Sequence, residues 1–450
     1  MSRLRIALAT AIARLAAVGL RLVGSGATSL PGKILTRLAP EAIAAKAANL
    51  ERGCAVVSAT NGKTTTCAMV ASILSADGAT TVHNRAGANM AGGIAATLLT
   101  EEGDFGLFEV DEFWLDGLVP QLRPRATLLA NLFRDQLDRY GELDQIIERW
   151  RRVAESPDAG SVVLNADDPL VAGLGAGAEK PFYFGIEDET IGEANPQHAS
   201  EQAQCPVCHK QFSYSRYFVG HLGHYSCSNG HPGRPAPDVS ASSVALDGLR
   251  GSRFTLRMGG EDFPVALQLP GLYNVYNAVA AAALGVALGI QPTVIASAIE
   301  QTSAAFGRAE TVQIGGRDAS IMLVKNPAGA NEVLRTLADD PGDNDLLIIL
   351  NSRIADGRDV SWIWDADFEL LAASSGVIVC SGERAPQIAL RLKYAGIAPE
   401  RIAIEADLPT ALELATSNSS ERLVILPTYT AMLALRELLV GRGELTEALA

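Results

Sequence analysis

The stretch Cys54-Ala-Val-Val-Ser-Ala-Thr-Asn-Gly-Lys-Thr-Thr-Thr-Cys67 decides the fold of this chain. Residues 56–58 are a short, mainly β-branched run that is typical of a buried strand, and the apolar spacing within residues 69–74 is typical of a helix. A strand, a tight glycine turn and a helix N-terminus make an anion site, because backbone N–H groups and the helix dipole point at one place. The stretch therefore predicts a phosphate-binding loop.

The residues of this loop match the chemistry of a nucleoside triphosphate. Lys63 can reach the β- and γ-phosphate oxygens, and the Thr64 hydroxyl can hold Mg²⁺. The first glycine of the usual G-x-x-x-x-G-K-[ST] pattern is absent, but the strand and the helix that the pattern requires are both present. An ordinary strand-to-helix turn with an exposed lysine is the alternative. We predict an ATP and Mg²⁺ site formed by Thr60, Asn61, Gly62, Lys63, Thr64 and Thr65.

Acidic residues at the end of the next predicted strand are candidates for metal binding. The strand from Phe105 to Val110 is followed by Asp111 and Glu112. In a parallel sheet that carries a phosphate-binding loop, carboxylates at the C-terminal end of a strand lie in the crevice where Mg²⁺ and phosphates bind. Glu109 and Asp111 are therefore predicted to serve the metal; the alternative is that they are solvated strand-end acids.

Composition and charge limit the class of protein. The 450 residues, 48% of them apolar, provide enough core for two or three domains. The formal net charge of −14 argues against a protein that coats nucleic acid, because phosphate-backbone binding needs a basic face. Cys54 and Cys67 lack paired spacing and no signal peptide is evident, which indicates a reducing, cytoplasmic environment.

The first fifty residues form a basic segment. Residues 1–52 contain eight Arg or Lys and two Glu, a net charge of +6, so the remaining residues carry −20. Leu4 to Val23 is apolar, but Arg14 and Arg21 interrupt it and make it too charged to span a bilayer. At 100° per residue Arg3, Arg14 and Arg21 share one face, which predicts an amphipathic helix. Its apolar face either packs on the body of the protein or contacts an anionic membrane surface.

A second chemical pattern lies in an insertion at about 196–238. Cys205-Pro-Val-Cys208 is followed nineteen residues later by Cys227, which is typical of a zinc ribbon in which two turns supply thiolates to a tetrahedral Zn²⁺. His231 is the predicted fourth ligand, and His224 is the second choice. Because these residues lie in an insertion away from the phosphate-binding strand ends, we predict a structural zinc; the alternative is a group of unmetallated thiols.

The composition changes again at Gly315-Gly316. Beyond it, short apolar strands alternate with helical stretches, which predicts a doubly wound parallel sheet. We therefore divide the chain into an N-terminal basic segment at 1–50, an ATP-binding central domain at 51–314 and a C-terminal Rossmann-like domain at 315–450. Four predicted strands of the last domain end in polar loops, and parallel sheets bind ligands at that edge.

Several motifs resemble the ATPase domain of the Mur ligase family over roughly residues 50–312. They occur in the family's order: T-N-G-K-T-T at 60–65, N-x-x-G at 84–87, N-x-x-x-D-x-L-D-R-Y-G at 131–141, N-A-D-D-P at 165–169, G-L-Y-N-V-Y-N at 271–277 and F-G-R-A-E at 306–310. The resemblance implies a ligase that activates a carboxylate as an acyl phosphate, which an amine then attacks. On the family pattern the roles fall to Lys63 and Thr64 for the phosphates and Mg²⁺, Glu109 for a metal, Asn274 and Asn277 near the adenine, and Arg308 at the phosphate end.

The chain departs from the family pattern in three respects. Gln136 replaces the usual metal-binding histidine, and no lysine lies between Lys63 and Lys180 to be carbamylated as in many members. The second metal must therefore be held differently or more weakly. Some fifty residues before the phosphate-binding loop are too few for the UDP-binding domain of the soluble-precursor enzymes, so we expect a substrate that is not recognised through UDP.

The C-terminal half resembles one branch of the family, the MurT ligase subunits of lipid II isoglutaminyl synthase. The matching strings are V-K-N-P-A-G-x-N-E-V from 324, A-D-G-R-D-V-S-W-I-W-D from 355, R-L-K-Y-A-G from 391 and P-T-Y-T-A-M-L from 427. This resemblance implies ATP-dependent amidation of the α-carboxylate of D-glutamate in the lipid II stem peptide. Ammonia would come from a GatD-type glutaminase in a heterodimer, and the lipid-linked substrate places the enzyme in the cytoplasm, at the inner face of the membrane.

The chain is not expected to make its own ammonia. A cysteine glutaminase needs a thiolate beside a histidine, but five of the six histidines lie between 198 and 231, where three cysteines are assigned to zinc. In the MurT branch an acidic residue of the C-terminal domain completes the Cys–His pair of the glutaminase. We predict Asp356, in an exposed glycine-hinged loop, for this catalytic role, with Asp359 as the second choice; the alternative is that both acids only shape the loop.

Two other functions remain open from the sequence. One is a Mur or folylpolyglutamate-type ligase that joins a whole amino acid instead of ammonia. The other is a zinc-ribbon ATPase that binds nucleic acid or a protein partner, against which the acidic charge argues.

Overall fold

A computed structural model describes residues 2–22, 29–84, 87–134, 143–196, 203–302, 308–340, 342–417 and 422–445. The whole D-x-L-D-R-Y-G part of the predicted motif (135–141), with Gln136, lies outside these residues, and so do His198 and the side chains of Arg3, Arg21 and Arg308. The chain forms two α/β units, each built on a mainly parallel sheet. The predicted fold class is therefore confirmed.

Before the first strand, the described residues 2–22 and 29–53 form three helices, which cover one side of the central domain. They are α1 (Ser2–Leu22), α2 (Leu30–Leu38) and α3 (Ala42–Ala47). α1 packs on α2 through Ala9, Ala13 and Ala17, whose side chains are almost fully buried. The predicted amphipathic helix therefore contacts the body of the protein through its small residues.

The central domain contains a nine-stranded sheet. Its strands are β1 (Cys54–Ser58), β2 (Thr81–His83), β3 (Phe105–Glu109), β4 (Ala126–Leu129), β5 (Ser161–Asn165), β6 (Phe182–Ile186), β9 (Val239–Leu246), β10 (Ser252–Met258) and β11 (Glu261–Leu267). They lie in the order β11-β10-β9-β6-β5-β4-β1-β3-β2. From β2 to β9 neighbours are parallel, and β10 and β11 extend the edge in antiparallel pairing. β1 therefore lies inside the sheet and is buried on both faces, as its apolar sequence predicts.

Helices cover both faces of this sheet. They are α4 (Lys63–Ala76), α5 (Ala91–Thr100), α6 (Leu115–Leu122), α7 (Leu143–Ala154), the short α8 (Pro169–Ala172), α9 (Leu272–Ala287) and α10 (Pro292–Glu300). α9 is rich in alanine and almost completely buried against α4. Its small side chains permit close approach of the two helices, which brings α9 to the phosphate-binding loop.

The insertion forms a separate antiparallel hairpin, β7 (Ser213–Val219) and β8 (Leu222–Ser226). It lies between β6 and β9 in the chain, and Phe218, Val219 and Leu222 at its tip join the core of the central domain. The insertion is thus anchored to the core of the central domain at the hairpin tip and carries the cysteine turns at its other end.

The C-terminal domain contains six strands: β12 (Arg308–Ile314), β13 (Arg317–Met322), β14 (Asn344–Ile349), β15 (Ile378–Ser381), β16 (Ile402–Ile404) and β17 (Arg422–Pro427). Their order is β12-β13-β17-β14-β15-β16, parallel except for β12. The helices are α11 (Pro327–Ala338), α12 (Ala385–Tyr394), α13 (Leu408–Ser417) and α14 (Tyr429–Gly441).

The boundary predicted at residue 315 is wrong by one strand. β12 pairs with β13 in the C-terminal sheet, so this domain includes the residues from Arg308 onward. Gly315 and Gly316 have φ values of +58° and +80° and form the turn of the β12–β13 hairpin. The glycine pair marks a turn that needs positive φ, and not a linker between domains.

Within the described residues, no helix is both long enough and apolar enough to cross a membrane.

Candidate active site

The phosphate-binding loop is held from the neighbouring strand by Asn131, which follows β4. The Asn61 N–H donates to Asn131 Oδ1 at 2.9 Å, and Asn131 Nδ2 donates to the Asn61 carbonyl at 3.0 Å. The Thr60 N–H donates to the Asn131 carbonyl at 3.0 Å. These three bonds fix the loop before any ligand binds.

Gly62 is required at the turn into α4. Its φ is +83°, and a Cβ atom there would lie 2.1 Å from Asn277 Oδ1 of α9. Both the left-handed backbone and the contact with α9 exclude a side chain. Thr66 donates from Oγ1 to Asn277 Oδ1 at 3.3 Å, which also ties the first turn of α4 to α9.

Lys63 is buried and paired with an acid that the sequence analysis did not assign to the site. Its Nζ donates to Glu112 Oε2 at 2.9 Å and to the Ala59 carbonyl. Burial by itself would lower the pKa of Lys63, but the Glu112 and Glu109 carboxylates outweigh it and raise the pKa. Burial would raise the pKa of Glu112, but the Lys63 and Lys325 ammonium groups lower it. The site therefore holds a charged Lys63–Glu112 pair.

Glu109 lies beside Thr64, as a shared Mg²⁺ site requires. Thr64 Oγ1 donates to Glu109 Oε2 at 2.9 Å, and Asn89 Nδ2 donates weakly to Oε1 at 3.4 Å. Asn84 fixes the backbone of Glu109, donating to its carbonyl at 2.7 Å and accepting from its N–H at 2.9 Å. A hydroxyl and a carboxylate at this distance are oxygen ligands that suit Mg²⁺.

Asp111, the other predicted metal candidate, takes part in a turn. Its Oδ1 accepts from the Phe113 N–H at 3.1 Å. The neighbouring Glu112 is the acid that reaches Lys63, because strand pairing ends at Val110 and the chain turns before α6.

A cleft of about 830 Å³, part of it open to solvent, extends from the loop between the two domains. Asn61, Gly62 and Thr65 line one end, and α9 contributes Tyr273, Tyr276 and Asn277. The hairpin tip contributes Val219 and Leu222, while β13 and α11 supply the opposite wall. Asn274 supports the site from behind, since its Oδ1 accepts from Asn277 Nδ2 at 3.0 Å. An apolar cleft that ends at a phosphate-binding loop fits a nucleotide base.

The C-terminal domain contacts the phosphate-binding loop directly. Asn326 Nδ2 donates to Asn61 Oδ1 at 3.0 Å, and Lys325 Nζ donates to the Thr60 carbonyl at 3.2 Å. Asn326 also caps α11, accepting from the Gly329 N–H at 2.9 Å. Lys325 and Asn326 belong to one of the polar loops that follow the predicted strands of this domain, but only the structure shows that this loop faces Asn61.

The four predicted zinc ligands meet in space. One ligand atom from each of Cys205, Cys208, Cys227 and His231 lies within 4.8 Å of the others. His231 Nδ1 is 3.6 Å from the sulfurs of Cys205 and Cys227. His224, the second choice, instead places Nε2 2.7 Å from the Ile186 carbonyl and lies outside this cluster. Three thiols and an imidazole are a donor set that suits tetrahedral Zn²⁺.

Backbone N–H groups also point at the sulfurs. Cys205 accepts from the N–H groups of Val207 and Cys208, and Cys227 accepts from those of Asn229 and His231. Desolvation by burial opposes the thiolate of Cys205, but these bonds lower its pKa, and the bond from Asn229 leads in lowering the pKa of Cys227. Two turns that stabilise anionic sulfur are prepared for a cation.

The expectation that Asp356 is exposed is wrong. The residue is 4% exposed, and its carboxylate accepts from Thr430 N at 2.7 Å, Thr430 Oγ1 at 2.5 Å and Arg353 N at 3.2 Å. The loop folds back because Thr430 lies in the first turn of α14, where backbone N–H groups lack helical partners. Asp359 is exposed and accepts from Ser361 N at 2.8 Å.

Comparisons with known proteins agree with this architecture. The Mur ligase middle domain model matches residues 57–231, and the MurT ligase C-terminal model matches residues 323–432. The lipid II isoglutaminyl synthase subunit MurT of Streptococcus pneumoniae is 34% identical over 93% of this chain and 94% of its own. The MurT subunit of Staphylococcus aureus strain COL is 32% identical over 95% of this chain and 96% of its own.

Solved structures share the fold at lower identity. A pseudomurein peptide ligase type C from Methanothermus fervidus superposes with a TM-score of 0.69 at 22% identity, covering 91% of this chain and 84% of its own. MurF from Acinetobacter baumannii superposes with a TM-score of 0.64 at 20% identity, covering 90% and 80%. These likenesses show a shared fold.

Proposed function

The chain belongs to the MurT family of lipid II isoglutaminyl synthase subunits, and from this premise we propose the reaction that it catalyses. It uses ATP to amidate the α-carboxylate of D-glutamate in the lipid II stem peptide, through an acyl phosphate, and so forms D-isoglutamine. The observation that carries this assignment is the Lys63, Thr64 and Glu109 constellation beside the cleft between the two domains, in a chain that matches MurT subunits almost end to end.

The residues divide the phosphate chemistry between them. Thr64 and Glu109 hold Mg²⁺, which neutralises phosphate charge when it is bound. Lys63 exchanges Glu112 for the γ-phosphate, because both compete for the same ammonium group. Asn277 and Thr65 line the cleft toward the base, and Asn274 keeps Asn277 in place. Arg308 approaches the phosphate end on the family pattern.

The C-terminal domain supplies positioning across the cleft. Lys325 and Asn326 bond to the backbone of Thr60 and the side chain of Asn61, so the domain contact is made on the phosphate-binding loop itself. A shift of the C-terminal domain would therefore alter the position of the phosphate-binding loop. Nucleotide binding at the loop would in turn alter its contacts with Lys325 and Asn326. This arrangement suits a ligase that must exclude water while an acyl phosphate waits for an amine.

The cysteine and histidine cluster holds a structural zinc in this proposal. The donor set and the N–H groups directed at its sulfurs support Zn²⁺, and the cluster lies in the insertion and outside the Lys63 and Glu109 site. Its contribution is to the fold of the insertion, because metal binding free energy is also folding free energy.

The amine is ammonia delivered by a glutaminase of the GatD type, docked on the C-terminal domain. Exposed apolar side chains support a docking surface there. Trp364 and Tyr394 pack edge to face with ring centroids 5.7 Å apart, and both are exposed with the neighbouring Leu390. Exposed aromatic residues with a fixed orientation are typical of protein–protein interfaces.

Asp356 completes the Cys–His pair of the glutaminase in this proposal. Its burial supports a held acceptor rather than a mobile side chain, since Thr430 and the Arg353 backbone orient both oxygens. Asp359 is the second choice and is already at the surface. A lipid-linked substrate further places the enzyme at the inner face of the membrane.

Comparing two nitrogen sources tests the proposal. The chain with its glutaminase partner should convert lipid II to the amidated form with glutamine, and the chain alone should do so with ammonium. Mass analysis of the muropeptides and release of ADP are the measurements. Joining of a whole amino acid, with no reaction of ammonium, would instead support the amino-acid ligase.

A further inference from the structure

The outer face of α1 is apolar. Between residues 4 and 20 ten residues are exposed: Arg5, Arg14, Gly19 and seven residues with apolar side chains. The larger ones are Leu4 at 81%, Leu8 at 65%, Leu15 at 73% and Val18 at 54% exposed. The helix therefore packs on α2 with alanines and turns its leucines outward, the reverse of an ordinary surface helix.

The exposed residues form one stripe bordered by arginines. At 100° per residue Val18, Leu4, Leu15, Leu8 and Ile12 fall within an arc of about 120°. Arg14 lies beyond one edge of this arc and Arg5 beyond the other. An apolar stripe with cationic borders is the pattern of a helix that lies in the interface of a membrane.

The distribution of charge along the chain also favours membrane contact at the end that carries α1. Residues 1–52 carry +6 and the remainder −20, so an anionic surface attracts this segment and repels the rest. We propose that α1 binds an anionic lipid bilayer, with its leucines in the acyl boundary and Arg14 at the headgroups, while Arg5 pairs with Glu41 at the other border. This inference rests on the proposed function and deepens it, because a lipid-linked substrate lies at a membrane.

Vesicle binding by the full-length protein tests the surface. Wild-type protein should bind vesicles of phosphatidylcholine with phosphatidylglycerol, without lipid II, more tightly than vesicles of phosphatidylcholine alone. A double variant, Leu8→Glu with Leu15→Glu, should weaken binding at least about tenfold, because charge enters the apolar stripe. Arg14→Gln should weaken it about fivefold and reduce the salt dependence. The matched control is Leu414→Glu, at a 39% exposed leucine of α13, which should bind normally.

Three outcomes would overturn the inference: no binding of wild-type protein, equal binding of the double variant, or loss of the glutaminase partner by that variant, which would assign the stripe to a protein. A water-soluble short-chain lipid II analogue separates this inference from the proposed function. Wild type and the double variant should amidate it equally with ammonium. If neither does, the proposed function fails while the vesicle result stands.

A second inference comes from the hairpin. Val219 and Leu222 at its tip line the cleft, and the φ of Gly220 is +58° with its Cβ position 3.0 Å from the Phe133 ring, another cleft residue. Beyond the metal ligands, Arg234 donates to the buried Asp167 Oδ1 at 2.5 Å, and Asp167 Oδ2 accepts from Tyr276 Oη, in the cleft, at 2.7 Å. The segment that carries the cysteine cluster thus reaches the cleft by two routes.

We infer that the insertion positions the nucleotide, with Leu222 as part of the wall and Arg234 as a positioning residue for Tyr276. Leu222→Ala and Arg234→Gln should each raise the Kd of a fluorescent ATP analogue about tenfold, and Cys208→Ser should do so together with loss of zinc. Lys210→Ala, at an exposed residue of the first cysteine turn, is the control.

The KM for ammonium in the ligase reaction should stay unchanged in these variants, which a general loss of fold would not allow. An unchanged Kd in folded Arg234→Gln and Leu222→Ala, or in zinc-free Cys208→Ser, would overturn the inference.

Discussion

Glu109 in the central domain and Asp356 in the C-terminal domain occupy corresponding places in two sheets. Glu109 ends β3 beside β1, and Asp356 follows β14 beside β17. Each accepts a hydrogen bond from the threonine at the second position of the helix after the neighbouring strand, Thr64 for Glu109 and Thr430 for Asp356. The doubly wound fold therefore places one buried acid at the C-terminal ends of the strands in each of the two sheets.

The two acids differ in how fully they are satisfied. Glu109 accepts one good bond from a hydroxyl and a long one from Asn89, which leaves acceptor capacity for a cation. Asp356 accepts from two N–H groups and a hydroxyl, which hold it in one orientation. Hydrogen-bond donors around each acid therefore distinguish the proposed metal ligand from the held acceptor, although each acid accepts from a threonine at the same position of the neighbouring helix.

The largest effect is expected at the central site. Lys63→Ala should lower both glutamine-driven and ammonium-driven ADP release about 10³–10⁵-fold, because the positive charge at the γ-phosphate is lost. Stopped assays with lipid II measure it, and circular dichroism checks that the fold remains. Near wild-type ADP release would show that the central acid and lysine do not form the ATP site.

Asp356→Asn should separate the two acids by function. The rate of glutamine-driven amidation should fall about 10²-fold or more, since an amide cannot stabilise a protonated histidine. The rate of ammonium-driven amidation should stay unchanged. Both rates are measured on the purified complex, with Asp359→Asn as the matched variant. Loss of the ammonium-driven rate as well would place Asp356 in the ligase site or in the fold.

A third site, the cluster of Cys205, Cys208, Cys227 and His231, uses sulfurs where the other two sites use a carboxylate. Cys205→Ser and His231→Ala should weaken zinc binding at least about tenfold and expose the insertion to protease, because metal binding stabilises its fold. His224→Ala should keep its metal, since its Nε2 contacts the Ile186 carbonyl. Elemental analysis and limited proteolysis are the measurements. Zinc-free wild-type protein would contradict the assignment.

The smallest effect on activity is expected at Glu112, whose carboxylate neutralises Lys63 and has no proposed metal role. Glu112→Gln leaves Lys63 charged and unpaired, and should lower the free energy of unfolding by about 3 kcal/mol while changing activity only a few-fold. The pKa of Glu112 is lowered from 4.5 and that of Lys63 is raised from 10.5. The pair therefore stabilises the wild type between these ordinary values, and this contribution is lost as pH falls through the pKa of Glu112 or rises through that of Lys63.

Chemical denaturation as a function of pH measures this contribution. The difference between wild type and Glu112→Gln should be largest near neutral pH and shrink at acidic pH. A constant difference across pH would show that the ion pair does not carry it.

The sequence alone determined the local features of this protein. The glycine turn with its lysine and threonine, the Cys-x-x-Cys spacing and the alternation of strands and helices are set by residues close together in the chain, whose periodicity reports local geometry. This local patterning predicts the Lys63–Thr64 turn and the two cysteine turns. Glu109 was predicted beside Thr64 from the rule that parallel strands end at one edge of a sheet, and its Oε2 accepts from Thr64 Oγ1 at 2.9 Å.

Only the tertiary structure decided which distant groups meet. Asn61 pairs with Asn326, 265 residues away, and Gly315-Gly316 is a turn because β12 pairs within the second sheet. Asp356 is buried because α14 presents unpaired N–H groups to it, and α1 exposes its leucines because its alanines fit closely against α2. These outcomes depend on which surfaces pack together, and a pattern along the chain carries no information about the partner that a surface will meet.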